Sequence, residues 1–393
     1  MTKASKEGQR KAPILRFKGF TDDWEQRKLE NLSEHKSGTS IEKYFSSDGL
    51  YKVISIGSYG LNNEYIDQGI RAVKNKTTES KLVRSGQLTM VLNDKTANGN
   101  LIGRCLLIST DNEFIVNQRT EIIIPGPDLN GNYAYYYLNG PFRSKVKRIA
   151  QGGTQIYVNY SSVKKQKINY PIKDEQIKIS KLLKIIKKLI TLYEKKKQLL
   201  TQLKQGIVNF LITKNGPKPQ LRFSGFNNNW ESKSFEKLLN YEQPTKYIVK
   251  KADYISQGTP VLTANKSFVL GYTNETNVYQ NIPAIIFDDF TLESKYVDFP
   301  FMVKSSAIKI LTSENSNLFF IYQLLNNQRF VQEGHSRHYI SVVQKKKVLV
   351  PSIQEQNKIS DLIKQLEDNI ELNSNTIVLL KKLKEFLLQS MFL

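Results

Sequence analysis

Residues 174–213, DEQIKISKLLKIIKKLITLYEKKKQLLTQLKQGIVNFLIT, contain no proline and one glycine, Gly206, near the end. From Ile179 the chain is apolar at alternating steps of three and four: Leu182, Ile186, Leu189, Tyr193, Leu200, Leu203, Ile207 and Phe210, with Lys196 the one exception. That 3.5-residue period predicts a long helix with a coiled-coil seam, about 60 Å in length at 1.5 Å per residue. A seam needs a partner. Residues 354–393 supply one, with Ile359, Leu362, Leu366, Leu380, Leu383 and Leu387 in the same phase. The two openings are copies: Pro171, Glu175, Gln176, Lys178, Ile179 and Ser180 return 180 positions on as Pro351, Glu355, Gln356, Lys358, Ile359 and Ser360.

A second repeat confirms that this is a duplication. PILRFKGFTDDWEQRKLENL at 13–32 returns as PQLRFSGFNNNWESKSFEKL at 219–238, carrying both tryptophans, Trp24 and Trp230. Two half-molecules follow, each a globular domain and then a long helix. The expected boundaries are a disordered basic tail at 1–12, a first domain at 13–172, a helix at 173–214, a linker at 215–218, a second domain at 219–352 and a helix at 353–393. Short β-branched runs (51–56, 101–108, 121–124, 284–287, 307–311) predict strands, and 133–146 and 318–332 predict helices. The expected class is therefore α/β (α+β) with mixed sheets. Within the domains, 121–124 aligns with 308–311, and Tyr136, Leu138 and Arg143 align with Tyr322, Leu324 and Arg329.

If the seams pair, the second helix must run back along the first. The expected arrangement is an antiparallel two-helix coiled coil separating two globular domains about a pseudo-twofold axis. Asn369 and Asn373 would then fall opposite Tyr193 and Lys196, and Glu367, Asp368 and Glu371 near Lys195 to Lys197. A buried polar residue at such a seam fixes register.

The formal net charge is +22, from 58 basic and 36 acidic residues, which favours a polyanionic partner. Residues 164–214 hold 14 lysines and 3 acids, a solvated face or a surface for DNA backbone or an acidic partner. One cysteine, Cys105, excludes a disulfide framework and fits a reducing compartment. No run reaches membrane-spanning length, so the expected location is the cytoplasm, with no membrane partner.

Sequence is read in DNA by polar and basic side chains at base edges, so such residues on glycine-bearing loops are the candidates. In the first domain these are Lys95, Asn98, Gln118, Arg119, Thr154, Gln155 and Tyr157; in the second, Asn265, Lys266, Thr291, Arg337, His338 and Tyr339. The loops before the helices share a frame but differ in content, as half-site readers should. Trp24 and Trp230 do not differ between the halves, which points to packing. No GxxxxGK phosphate loop occurs, three histidines and one cysteine make no convincing zinc site, and Asp288, Asp289 and Glu293 crowd too closely for a metal nuclease. No catalytic or metal-binding residue is expected.

The LRFxGFxxxWE opening and the PxxxEQxKIS helix start, each repeated around divergent domains, resemble the specificity subunit of type I restriction-modification enzymes. The resemblance implies a non-catalytic subunit whose two target-recognition domains each read one half of a split site in double-stranded DNA. It implies helices that space the domains and dock two modification (methyltransferase) subunits, with two restriction (translocase/endonuclease) subunits added outside. S-adenosylmethionine, ATP and magnesium would then bind on the partners and none on this chain. From the residues alone, a protein-binding scaffold with twin domains remains the alternative.

Overall fold

The structure, a computed structural model, describes residues 12–95, 97–212, 216, 218–251, 253–264, 267–330 and 338–392. It divides into two compact units, one running to Tyr193 and including Thr376 onwards, the other Glu194–Asn375. The expected tail, apart from Ala12, and the linker positions Asn215 and Pro217 lie outside the described residues.

Each unit is built on an antiparallel four-stranded sheet. In the first the strand order is Ser33–Ser37, Thr120–Pro125, Leu88–Val91, Cys105–Leu107. In the second it is Asn240–Glu242, Ile308–Thr312, Ala284–Asp288, Ser294–Val297. A smaller mixed sheet accompanies each. Tyr51–Ile54 pairs parallel with Phe114–Val116 and antiparallel with Arg71–Ala72; Thr259–Leu262 pairs parallel with Met302–Val303 and antiparallel with Val269–Thr273. Mixed pairing is as the sequence predicts.

The helix expected over 133–146 is two helices, Gly131–Asn139 and Pro141–Arg148. Gly140, at φ −100° and ψ −115°, ends the first, and Pro141 opens the second, where its missing N–H costs nothing. Its counterpart is the single helix Leu318–Asn326. Asn130 and Asn317 cap the two helices by accepting from Tyr133 N and Phe320 N, so the copies run 187 apart, and Tyr135, not Tyr136, matches Tyr322.

The repeated motifs are the frame of each unit. Arg16 forks onto Glu175 at 2.9 and 2.7 Å; Arg222 forks onto Glu355 at 2.8 Å twice. Both carboxylates are buried, and the paired charge holds each guanidinium above its ordinary pKa. Gln176 accepts from Asn130 N at 2.9 Å as Gln356 accepts from Asn317 N at 2.9 Å. Trp24 meets Tyr133 edge-on at 6.2 Å and Trp230 meets Phe320 at 5.9 Å, so both indoles are core groups. Leu15 N donates to Ser390 O and Leu221 N to Phe210 O, one closure made twice.

The long helices span Lys173–Leu211 and Ile353–Ser390. In the first unit, Leu387 and Met391 near the end of the second helix pack with Ile179 and Leu183 near the start of the first. In the second unit, Ile359 and Ile363 pack with Val208 and Leu211. Start meets end in both units, which is antiparallel pairing. The register differs from the expected one: Glu367 pairs with Lys204, seven to nine residues beyond Lys195 to Lys197. The buried seam of the second helix includes Ile359, Ile363, Asn373, Ile377 and Leu387, so Asn373 is on it and Asn369 is exposed. Asn373 Nδ2 donates to Asn369 O, while its Oδ1 has no partner among the described residues. Three expected seam leucines and aromatics, Leu203, Phe210 and Leu383, are exposed instead.

Candidate nucleic-acid interface

In the first unit, three separate candidate stretches converge at one end of the main sheet. Leu92, just past the strand Leu88–Val91, donates its N–H to Arg119 O and accepts from Val158 N, both at 2.9 Å. Beyond it, Asn93–Asp94 pairs antiparallel with Ile156–Tyr157. Lys95 and Asn98 therefore sit beside Thr154, Gln155 and Tyr157, and all five are exposed. The backbone under them is fixed. Asp94, 1% exposed, accepts from Leu101 N at 2.6 Å, and Arg143 reaches Ile102 O, Gly99 O and Asn100 O at 3.0, 3.1 and 2.8 Å. Burial pulls the Arg143 guanidinium down to about 10.

Arg119 is exposed, with φ +64°, a left-handed conformation that a side-chain-bearing residue adopts at a cost of roughly 1 kcal/mol. Gln118 Nε2 is bound to Glu42 Oε1 at 2.9 Å. Hydrogen bonds from Ser40, Asn117 and Gln118 hold the Glu42 carboxyl down to about 2. Behind Arg119 opens a cleft of about 680 Å³ that also touches His35, Ser37, Glu121, Tyr160 and Lys164. At its floor Glu121, 1% exposed, accepts from Ser37 Oγ at 3.0 Å and lies 2.6 Å from His35 Nδ1.

The second unit differs. Thr291 is exposed on a tight turn whose amides, Phe290 N and Thr291 N, donate to Asp288 Oδ1 at 2.9 Å. His338 and Tyr339 are 2% and 0% exposed, so neither faces outward to meet a base: the expectation for these two is corrected. Tyr339 N donates to Asp289 Oδ1 at 2.8 Å, its ring packs on Phe287 and Tyr241, and His338 Nδ1 lies 3.2 Å from Asp289 O. Asp289 in turn pairs with Lys309 at 3.3 Å, both 1% exposed. Asp288 and Asp289 are thus committed to a turn and an ion pair, and among the described residues no three metal-ligating side chains cluster. Asn265, Lys266 and Arg337 lie outside the described residues.

The two units show where the repeat slips. Tyr160–Val163 forms one α turn, with Lys164 N donating to Tyr160 O; Tyr339–Val343 forms a π turn, with Gln344 N donating to Tyr339 O. One extra residue is absorbed as a bulge, so Tyr339 takes the place of Tyr160.

The family model for type I restriction modification DNA specificity domains matches residues 21–202 and 227–382. The chain belongs to that family. A stretch of it is 50% identical over 123 residues to the EcoR124I/EcoR124II specificity subunit of Escherichia coli, covering 29% of this chain and about 30% of that relative's length. The MjaIX specificity subunit of Methanocaldococcus jannaschii is 24% identical over 93% of this chain and 92% of its own. The fold resembles the S subunit of the type I restriction-modification system from M. genitalium, with TM-score 0.66 and 16% identity over 97% of this chain and 99% of that one.

Three features of this specificity chain escaped the sequence reading. Glu121 and Lys309 are each a charged residue inside an apolar strand, TEIIIP and IKILT, and that pattern was the available signal. The third is a set of outward leucines. Leu192, Leu199 and Leu203 recur 180 positions on as Leu372, Leu379 and Leu383, each at least 43% exposed.

Proposed function

We propose that this chain is the non-catalytic, sequence-reading subunit of a type I restriction-modification complex, each unit contacting one half of a bipartite, asymmetric site in double-stranded DNA. The observation that carries the reading is the duplicated frame with unlike reading edges. Identical Arg–Glu and Trp–aromatic clamps hold, in one unit, an exposed ribbon bearing Lys95, Asn98, Thr154, Gln155 and Tyr157. In the other they hold a turn bearing Thr291 over a buried ion pair. Unlike readers do not suit a palindrome, and the net charge of +22 suits phosphate contacts.

The paired outward leucines support docking of two copies of one partner, since equivalent positions on both helices are apolar and exposed where solvent would favour polar residues. Modification subunits are the partners proposed there, with restriction subunits added outside. S-adenosylmethionine, ATP and magnesium belong to those partners in this reading, and the complex works in the cytoplasm. No described helix is long and apolar enough to cross a membrane.

Methylome sequencing of a host with and without this chain tests the proposal. A split motif whose methylation depends on the chain is expected; an unchanged methylome refutes it. Because the outward leucines alone would also suit a scaffold that ignores DNA, salt dependence is the second arm. Affinity that falls steeply with salt marks phosphate neutralisation, whereas a flat response marks apolar docking.

A further inference from the structure

We propose that the cleft at Glu121 takes a single nucleobase bearing an exocyclic amine, with its phosphate, drawn out of the stack of the DNA half-site that the first unit reads. The proposal rests on the DNA-reading function above. Glu121 is almost wholly buried yet lines a cleft of about 680 Å³, within the roughly 300–1,000 Å³ range of small-ligand sites. One of its oxygens, Oε1, is occupied by His35 and Ser37. Oε2 has no hydrogen bond among the described residues. That oxygen is placed to accept, so its ligand must offer a hydrogen-bond donor. The exocyclic amines of adenine, cytosine and guanine are such donors, with two N–H each, whereas thymine offers only its single ring N3–H.

The lip fits the rest of a nucleotide. Arg119, exposed, in a left-handed conformation and accepting from Leu92 N through its carbonyl, stands there with Lys164, two cations for a phosphate. An unusual backbone conformation at a cleft edge is a mark of functional sites. The His35 ring, packed 4.7 Å from Tyr160 and still partly open, offers a flat surface for stacking. A group at the cleft floor is out of reach of a base edge inside a duplex, so the base must leave the stack, at a cost of a few kcal/mol. In the second unit Lys309 takes the place of Glu121 and is paired with Asp289. Among the described residues the carboxylate there, Asp289, is taken up by Lys309 and Tyr339 N, so the device belongs to one half-site.

The test uses the full chain and duplexes carrying its motif. Each amine-bearing base of the first half-site is replaced in turn by its amine-free analogue: purine, 2-pyrimidinone or hypoxanthine. At one position the replacement should weaken the wild type roughly 10-fold and Glu121→Gln less than 2-fold, because the amide keeps its contacts to His35 and Ser37 but loses the acceptor charge. 2-Aminopurine placed beside that position should brighten on binding to the wild type and not to the variant. Arg119→Gln should weaken all probes and lower the salt slope by about 1. Unchanged affinity of Glu121→Gln for the second half-site certifies its fold. Equal losses in both proteins at every position overturn the proposal, while sequence-specific binding that survives leaves the DNA-reading function standing. AMP, CMP or GMP competing at the cleft without any such coupling in DNA also overturns it, assigning the cleft to free nucleotides. A chain with no sequence preference at all sinks the DNA-reading function and this proposal together.

Discussion

At the same point of the duplicated fold, on the second strand of the main sheet and beneath the turn that precedes the last strand, the first unit buries Glu121 and the second buries Lys309. Glu121 is answered by Ser37 and the His35 ring; Lys309 is answered by Asp289, which also takes the amide of Tyr339. The first arrangement leaves one oxygen for something outside the protein. The second spends its charge internally and ties the turn down. At one position of the shared sheet the two units thus bury charges of opposite sign, one answered by Ser37 and His35 and the other by Asp289.

Four experiments press on that contrast. Lys309→Met strands Asp289 uncompensated in the core and should destabilise the second unit by about 3 kcal/mol or more, seen as faster amide exchange in its strands; Asp289→Asn added to it should recover part of the loss. Glu121→Gln keeps its hydrogen bonds and should cost only about 1 kcal/mol. Equal losses would mean the two buried charges do the same structural job. Next, Arg16→Ala and Arg222→Ala each leave a buried glutamate unpaired and should cost about 3 kcal/mol apiece in urea unfolding. Unequal costs would show that the frames are less alike than their distances.

Leu199→Glu and Leu379→Glu, being on exposed positions, should shift stability by less than about 0.5 kcal/mol while impairing recruitment of partner subunits in co-purification. Full recruitment by both would remove the argument from the leucines. The smallest effect concerns Glu42. Its folded pKa of about 2 lies below the ordinary 4.5, so its contribution is fully present above pH 4.5 and fades as pH falls towards 2. Titration of the Glu42 carboxyl by NMR should show the low midpoint, and Gln118→Ala should raise it.

The frame was legible in the sequence because it is doubled: a pair such as Arg16 with Glu175 shows only as two exposed-type residues, but its return as Arg222 with Glu355 marks both. Helix direction and the existence of the seam followed from period and connectivity. Seam phase did not. Leu182–Leu183 and Leu189–Ile190 are adjacent apolar pairs, so a count from Ile179 fits either member, and packing selected Leu183 and Ile190. Tyr339 reads as a base contact because it follows polar residues on a glycine-bearing loop, whereas it opens a π turn and packs its ring on Phe287 and Tyr241. The Asp289–Lys309 pair joins residues on different strands, which no local pattern could connect.

The clamp that joins Arg16 to Glu175, and again Arg222 to Glu355, has an evolutionary consequence. Each divergent globular middle is enclosed between one copied segment and the next, so a foreign insert spliced between Trp24 and Pro171 would inherit a finished foundation. A middle can therefore be exchanged in one half while the clamps of both halves stay as they are.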